Sequence, residues 1–125
     1  MSYRIECIPN VSTADPVLLD RIAAVIEATD NVTLHFVDSG KSANRTVFTY
    51  LGRVDQVLKA TEALFAIALG EIDMREHQGV HPRMGAVDVC PFVLLDEERH
   101  AQDLLQRISL FAREISAKHD VAIYG

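Results

Sequence analysis

The stretch 45-RTVFTYLGRVDQVLKATEALFAIALGEI-72 decides the fold, because the period of its apolar residues changes at Gly52. Before Gly52 the side chains alternate with a period of two, which is typical of a strand over residues 45–51. After Gly52, apolar residues recur at helical spacing from Val54 to Ile72, over about five turns. The stretch therefore predicts a strand that runs directly into a long helix.

Three elements are predicted upstream of this stretch. Residues 3–8 alternate between apolar and polar positions, as in a strand with one better-buried face. Turn-forming residues follow, and an apolar stripe at helical spacing predicts a helix over 16–29. Residues 32–37 are rich in β-forming types and end in a cluster of turn residues. We expect this strand to pair antiparallel with 45–51 through the 38–44 loop.

The downstream half predicts a loop and three more elements. Glycine and proline interrupt the helical period over 75–84, which indicates a loop. Residues 87–95 read as a strand, in which a proline indicates an edge, a bulge or a strand end. An acidic start and a basic end predict a helix over 96–119, and residues 121–124 predict a last short strand.

The predicted order is β-α-β-β-α-β-α-β, with neither an internal linker nor a repeat, so residues 1–125 are expected to form a single domain. The fold class is α+β. Its first six elements have the order of a ferredoxin-like sandwich, to which a helix and a strand are added. Right-handed crossovers then predict helices on one face of a mainly antiparallel sheet.

Composition excludes several classes of protein. A net charge of −6 and a pI near 5.2 disfavour a nucleic-acid-binding surface, which needs clustered lysine and arginine. No apolar run approaches the roughly 20 residues of a membrane span, and residues 1–10 do not resemble a signal peptide. We therefore expect a cytoplasmic protein that binds no nucleic acid and no membrane. The two cysteines, Cys7 and Cys90, lie in strand-like segments and are interpreted as buried free thiols rather than a disulfide.

His81 is the main candidate for proton-transfer chemistry. Gly79 and Gly85 allow close approach to a ligand, Pro82 restricts the backbone, and an imidazole exchanges protons near neutral pH. From spacing alone, a histidine packed in a loop is the favoured alternative. His77 and His81 have the i, i+4 spacing of a metal-binding helix, but the glycine and proline disfavour that helix, and two histidines are too few ligands. No metal is predicted.

Other polar residues lie beside turns and strand ends. These candidates are Asp38, Asn10, Ser12, Asn44, Arg45 and Arg83. Asp38 would orient a histidine or accept a proton, although capping of a turn is the favoured alternative. Arg83 is either a bidentate partner for a carboxylate or a solvated loop cation, and composition does not separate the two.

Three segments resemble a known family: ECIPNVS at 6–12, NRTVFTYLG at 44–52 and HPRMGAVDVCPF at 81–92. In order and spacing they resemble the amino-terminal lobe of glutamate formiminotransferases, which also form part of the bifunctional formiminotransferase-cyclodeaminases. The resemblance extends over nearly all 125 residues.

The resemblance implies a tandem of two ferredoxin-like lobes and an activity in one-carbon metabolism and histidine catabolism. That activity transfers a formimino group from N-formiminoglutamate to tetrahydrofolate, the co-substrate. It implies that His81 transfers protons with Asp38 as its partner, and that Arg45 and Arg83 bind carboxylates of glutamate or folate. Asn10, Ser12 and Asn44 are then expected to contribute to substrate binding.

The chain also departs from the family pattern. Val80 stands where the family usually has glutamate before the catalytic histidine, and Ser12-Thr13-Ala14 replaces a Ser-Glu-Gly sequence. We therefore expect a formiminotransferase lobe that needs a second lobe, a partner or self-association into a homo-oligomer for full activity. The alternative is a non-catalytic folate-binding or regulatory module that retains the fold.

Overall fold

The computed structural model describes residues 2–40, 44–72, 86–121 and 123. Within these ranges the strands are β1 (Arg4–Cys7), β2 (Asn10–Val11), β3 (Val32–Gly40), β4 (Arg45–Arg53), β5 (Val87–Val89) and β6 (Phe92–Leu94). The helices are α1 (Pro16–Glu27), α2 (Val54–Glu71) and α3 (Ala101–His119), and a 3₁₀ turn over Glu98–His100 precedes α3. These elements confirm the predicted α+β class.

The strands form one sheet with β4 near its centre. β3 pairs with one edge of β4, while β1 and β2 pair in succession with its other edge. β6 and β5 then pair with the outer edges of β1 and β2. Each of these ladders is antiparallel, as the sequence predicts.

One face of the sheet carries the hydrophobic core. On β4, Phe48 and Tyr50 are fully buried and alternate with partly exposed residues, which confirms the predicted period of two. Helices α1 and α2 pack against this face and against each other. The ring of Phe111 on α3 lies 6.2 Å from Phe65 on α2 and 6.3 Å from Phe92 on β6, so α3 packs beside α2. Within the described ranges, no helix is both long enough and apolar enough to cross a membrane.

The boundaries of the early elements differ only slightly from prediction. The carboxylate of Asp15 accepts the Val17 N–H at 3.2 Å and caps α1, whose first residue is Pro16. The helix ends at Glu27, two residues before the predicted end at 29. β3 continues to Gly40 because it pairs with β4 as far as Arg45, so residues 38–40 of the expected 38–44 loop are strand.

Three later predictions need correction or fall outside the described residues. The predicted strand over 87–95 is broken after Val89, since Pro91 lacks the N–H that a continuous ladder requires. The helix predicted over 96–119 begins as the 3₁₀ turn, and its α-helical part starts at Ala101. Val121 and Ile123 are outside any strand, while positions 122 and 124 of the predicted last strand, and the loop predicted over 75–84, lie outside the described residues.

Candidate functional site

The face of the sheet opposite the helices brings three of the predicted site residues together. Val47 on β4 pairs with Asp38 on β3 at one side and with Asn10 on β2 at the other. Residues directly opposite in an antiparallel ladder share a face, and Arg45 shares it because it lies two positions from Val47. Asp38 is exposed, and Asn10 and Arg45 are half-buried. A carboxylate, an amide and a guanidinium therefore surround one valine on this open face.

Apolar side chains continue the open face beyond this polar group. Phe36 pairs with Thr49 and is 62% exposed, while Val89 pairs with Asn10 and is 55% exposed. Val93, which pairs with Glu6, is also exposed. The polar group thus lies at one end of a sheet surface that the described helices leave uncovered.

Ser12 is buried beside the residue that precedes β5. It is 1% exposed, and its backbone N–H donates to the carbonyl of Ala86 at 2.8 Å. Ala86 is the first described residue after 73–85, and β5 follows it. His81 and Arg83, together with His77 of the alternative metal site, lie outside the described residues. Their predicted roles remain predictions.

Asn44 holds the end of the β3–β4 connection. Its φ of 50° is in the left-handed region, which asparagine tolerates better than most residues. Its side-chain Oδ1 accepts the Ala14 N–H at 3.1 Å. This bond ties the connection to the segment after β2, so Asn44 has a structural role beside its predicted contribution to binding.

Sequence reasoning missed a chain of hydroxyl groups beneath the polar group. Thr46, fully buried, donates its hydroxyl to the carbonyl of Thr13 at 2.7 Å and lies 3.1 Å from the hydroxyl of Ser39. These bonds join the ends of β3 and β4 to the segment after β2. The signal was present, because the alternation in β4 puts Thr46 on the core side, where a polar group needs partners.

A second buried polar cluster lies further along the core face. The hydroxyls of Tyr50 and Thr61 are 2.6 Å apart, and Thr61 is also 3.6 Å from the Cys7 sulfur. The pKa of Tyr50 is raised well above its ordinary value, mainly by burial and then by the neighbouring Cys7 and Cys90 thiols. Cys7 and Cys90 are free thiols, as predicted, although Cys90 is only half-buried. Among the described residues, no group of three or more potential metal ligands is present.

The described residues thus define an α+β fold with one helix-covered face and an open face that displays polar residues at its strand ends. Comparison with known families identifies it further. Residues 4–125 match the formiminotransferase domain, N-terminal subdomain, and the chain belongs to this family. The resemblance predicted from the three sequence segments is thereby confirmed.

The chain is also similar to individual proteins with formimidoyltransferase names. The chain is 46% identical to a formimidoyltransferase-cyclodeaminase of Dictyostelium discoideum over 74% of its length, and 42% identical to that of Sus scrofa over 87%. It is 43% identical to a glutamate formimidoyltransferase of Streptococcus pyogenes serotype M1 over 74% of its length. The matched regions cover 18%, 21% and 31% of these three relatives, so the chain corresponds to a minor part of each.

Proposed function

We propose that the chain is the amino-terminal lobe of a glutamate formimidoyltransferase, which transfers a formimino group from N-formiminoglutamate to tetrahydrofolate. The names of its relatives support this activity. The structural observation that carries the proposal is the group formed by Asn10, Asp38 and Arg45 on the open face. A guanidinium next to hydrogen-bonding side chains suits a substrate that bears carboxylates.

Formimino transfer requires two proton movements. An amine of tetrahydrofolate attacks the amidine carbon, so that a new C–N bond forms and the amine loses a proton. The C–N bond to glutamate then breaks, and the departing nitrogen gains a proton. We assign both transfers to His81, since one imidazole can accept the first proton and donate the second.

Asp38 is assigned as the partner that orients His81 or stabilises its protonated form. The position of Ala86 supports this assignment. Its carbonyl accepts a backbone hydrogen bond from Ser12, which lies only two residues beyond Asn10. His81 and Arg83 precede Ala86 by five and three residues in the sequence. A fully extended chain spans at most about 3.6 Å per residue, so the sequence separation is compatible with either residue acting at this end of the sheet.

We further infer that the fold is ferredoxin-like and that a second lobe or another copy of the chain covers the open face. Counting β1 with β2 and β5 with β6 as interrupted strands gives four strands in the spatial order of that sandwich. The exposed Phe36, Val89 and Val93 suit a covering partner. A cytoplasmic location belongs to the same proposal.

Substitution of Arg45 tests the substrate-binding face. We expect Arg45→Gln to raise KM for N-formiminoglutamate or tetrahydrofolate by roughly 10-fold or more, because a charge-assisted hydrogen bond contributes about 1.5–3 kcal/mol. The assay follows glutamate release by the chain mixed with the remaining part of the Streptococcus pyogenes relative. Arg53→Gln is the matched control, since Arg53 lies on the same face at the far end of β4. Equal KM values for both variants would contradict the assignment of Arg45.

The second candidate is a folate-binding or regulatory module without catalysis. Val80, which stands where the family usually has glutamate before the catalytic histidine, favours this candidate. Calorimetric titration with tetrahydrofolate separates the two functions: binding with no glutamate release in the complemented assay supports the module, whereas turnover rejects it.

A further inference from the structure

Cys7 and Cys90 form a close pair of thiols that formimino transfer does not use. Their sulfur atoms lie 3.6 Å apart, although the residues are 83 positions apart in the sequence. The interruption between β5 and β6 produces this contact: Cys7 pairs with Phe92, and Cys90 lies just before β6 at the break. A disulfide has a sulfur–sulfur distance of about 2.0 Å, so the two sulfurs need to approach by only about 1.6 Å.

The two thiols differ in access. Cys7 is fully buried, whereas Cys90 is half-buried and lines a groove of about 730 Å³ in the described part of the chain. Phe65, Phe92 and Phe111 form apolar walls of this groove. Cys90 is therefore the more accessible of the two thiols to a small uncharged oxidant such as hydrogen peroxide.

The two thiols also differ in acidity. The hydrogen bond between the two thiols raises the pKa of Cys90, and burial raises it further. Burial also acts to raise the pKa of Cys7, but hydrogen bonds with Cys90, Tyr50 and Thr61 outweigh it and leave that pKa below its ordinary value. The 3.6 Å separation of the two sulfur atoms places each thiol within hydrogen-bonding distance of the other.

We propose that Cys7 and Cys90 are a peroxide-sensitive pair that closes to a reversible intramolecular disulfide, with Cys90 as the thiol oxidised first and Cys7 as the resolving thiol. The Cys90 sulfur attacks one oxygen of hydrogen peroxide, an S–O bond forms and the O–O bond breaks. The Cys90 thiol proton passes to the departing hydroxide, which leaves as water, so that Cys90 becomes a sulfenic acid. The Cys7 sulfur then attacks the Cys90 sulfur. The S–O bond breaks, the S–S bond forms, and the Cys7 proton leaves with the hydroxide as a second water. One peroxide is reduced by two electrons for each disulfide formed. This inference stands independently of the proposed function.

Intact mass spectrometry of the peroxide-treated chain tests the proposal. We expect a product lighter by two hydrogen atoms, a Cys7–Cys90 linked peptide in the digest, and recovery of the original mass with dithiothreitol. The chain has only two cysteines, so the linked peptide from a monomer is unambiguous. A chain that gains oxygen atoms without the linkage, or links only to a second chain, would overturn the proposal.

Two variants test the order of the steps without relying on the disulfide. In Cys7→Ala the resolving thiol is absent, so Cys90 sulfenic acid should accumulate and react with dimedone. In Cys90→Ala the remaining thiol is buried, and its oxidation in the folded chain should be at least 10-fold slower than that of the wild-type pair. Circular dichroism confirms that each variant is folded before treatment. Oxidation of folded Cys90→Ala at the wild-type rate would contradict the role of Cys90.

Discussion

Tyr3 connects the start of the sheet to α3 through both its hydroxyl and its ring. The side chain is 1% exposed, its hydroxyl donates to Asp103 at 2.6 Å, and its ring stacks on His100 with centroids 4.7 Å apart. The hydrogen bond from Tyr3, followed by the one from Arg107, holds the pKa of Asp103 below its usual value. Burial, followed by Asp103, raises the pKa of Tyr3 to about 12. One contact thus shifts two titrating groups in opposite directions.

We expect Tyr3→Phe to lower Tm near pH 7 by about 5 °C, because it removes the hydroxyl and leaves the ring in place. The contribution of Asp103 to the stability of the fold is fully present above the ordinary pKa of a carboxyl group. It is lost as pH falls through the depressed pKa that Asp103 has in the folded protein. The contribution of Tyr3 is present below pH 10 and is lost as pH rises through about 12. Thermal melts of both proteins at acidic, neutral and alkaline pH should converge at the extremes. A Tm difference that does not change with pH would contradict this account.

At the scale of elements, Gly52 allows β4 to run between two neighbouring strands. It pairs with Ile5 on one side and Val32 on the other. A Cβ atom at this position would lie 2.6 Å from the carbonyl oxygen of Asn31, which is closer than backbone atoms tolerate. The sequence showed Gly52 only as the point where the period changes. Its close approach to Asn31 depends on tertiary packing and is not encoded in local spacing.

We expect Gly52→Ala to lower the free energy of unfolding by roughly 1–3 kcal/mol, because the methyl group forces the backbone of β3 or β4 to move. Gly70→Ala is the matched control: Gly70 lies in α2, is exposed, and has no neighbour within 4 Å of an added Cβ. Alanine there should leave stability unchanged or raise it by about 0.5–1 kcal/mol. Urea denaturation of the two variants gives both values. Similar urea midpoints for both variants would contradict the predicted clash between a Cβ at position 52 and the Asn31 carbonyl oxygen.

At the scale of the whole molecule, local periodicity predicts individual helices and strands, whereas the register between strands is not predicted from the sequence. Strong periodicity in residues 45–72 predicted β4 and α2 well, because propensity and packing favour the same structure there. The break at Pro91 was predicted only as one of several possibilities, since proline alone does not say whether a strand ends or bends. Turn positions selected Asn10, Asp38 and Arg45 as candidates, but their meeting around Val47 depends on the register of three strands. Register depends on long-range pairing, which no single sequence segment specifies.

Glutamate release from N-formiminoglutamate in the presence of tetrahydrofolate tests the central proposal most directly. The comparison is between the wild-type chain and His81→Ala, each mixed with the remaining part of the Streptococcus pyogenes relative. His35→Ala is the control, because His35 is an exposed histidine on β3 outside the assigned site. Loss of proton transfer is expected to lower kcat for His81→Ala by roughly 10²–10⁴-fold, with His35→Ala close to wild type. Turnover by His81→Ala within a few-fold of wild type would contradict the assignment of His81 as the residue that transfers protons.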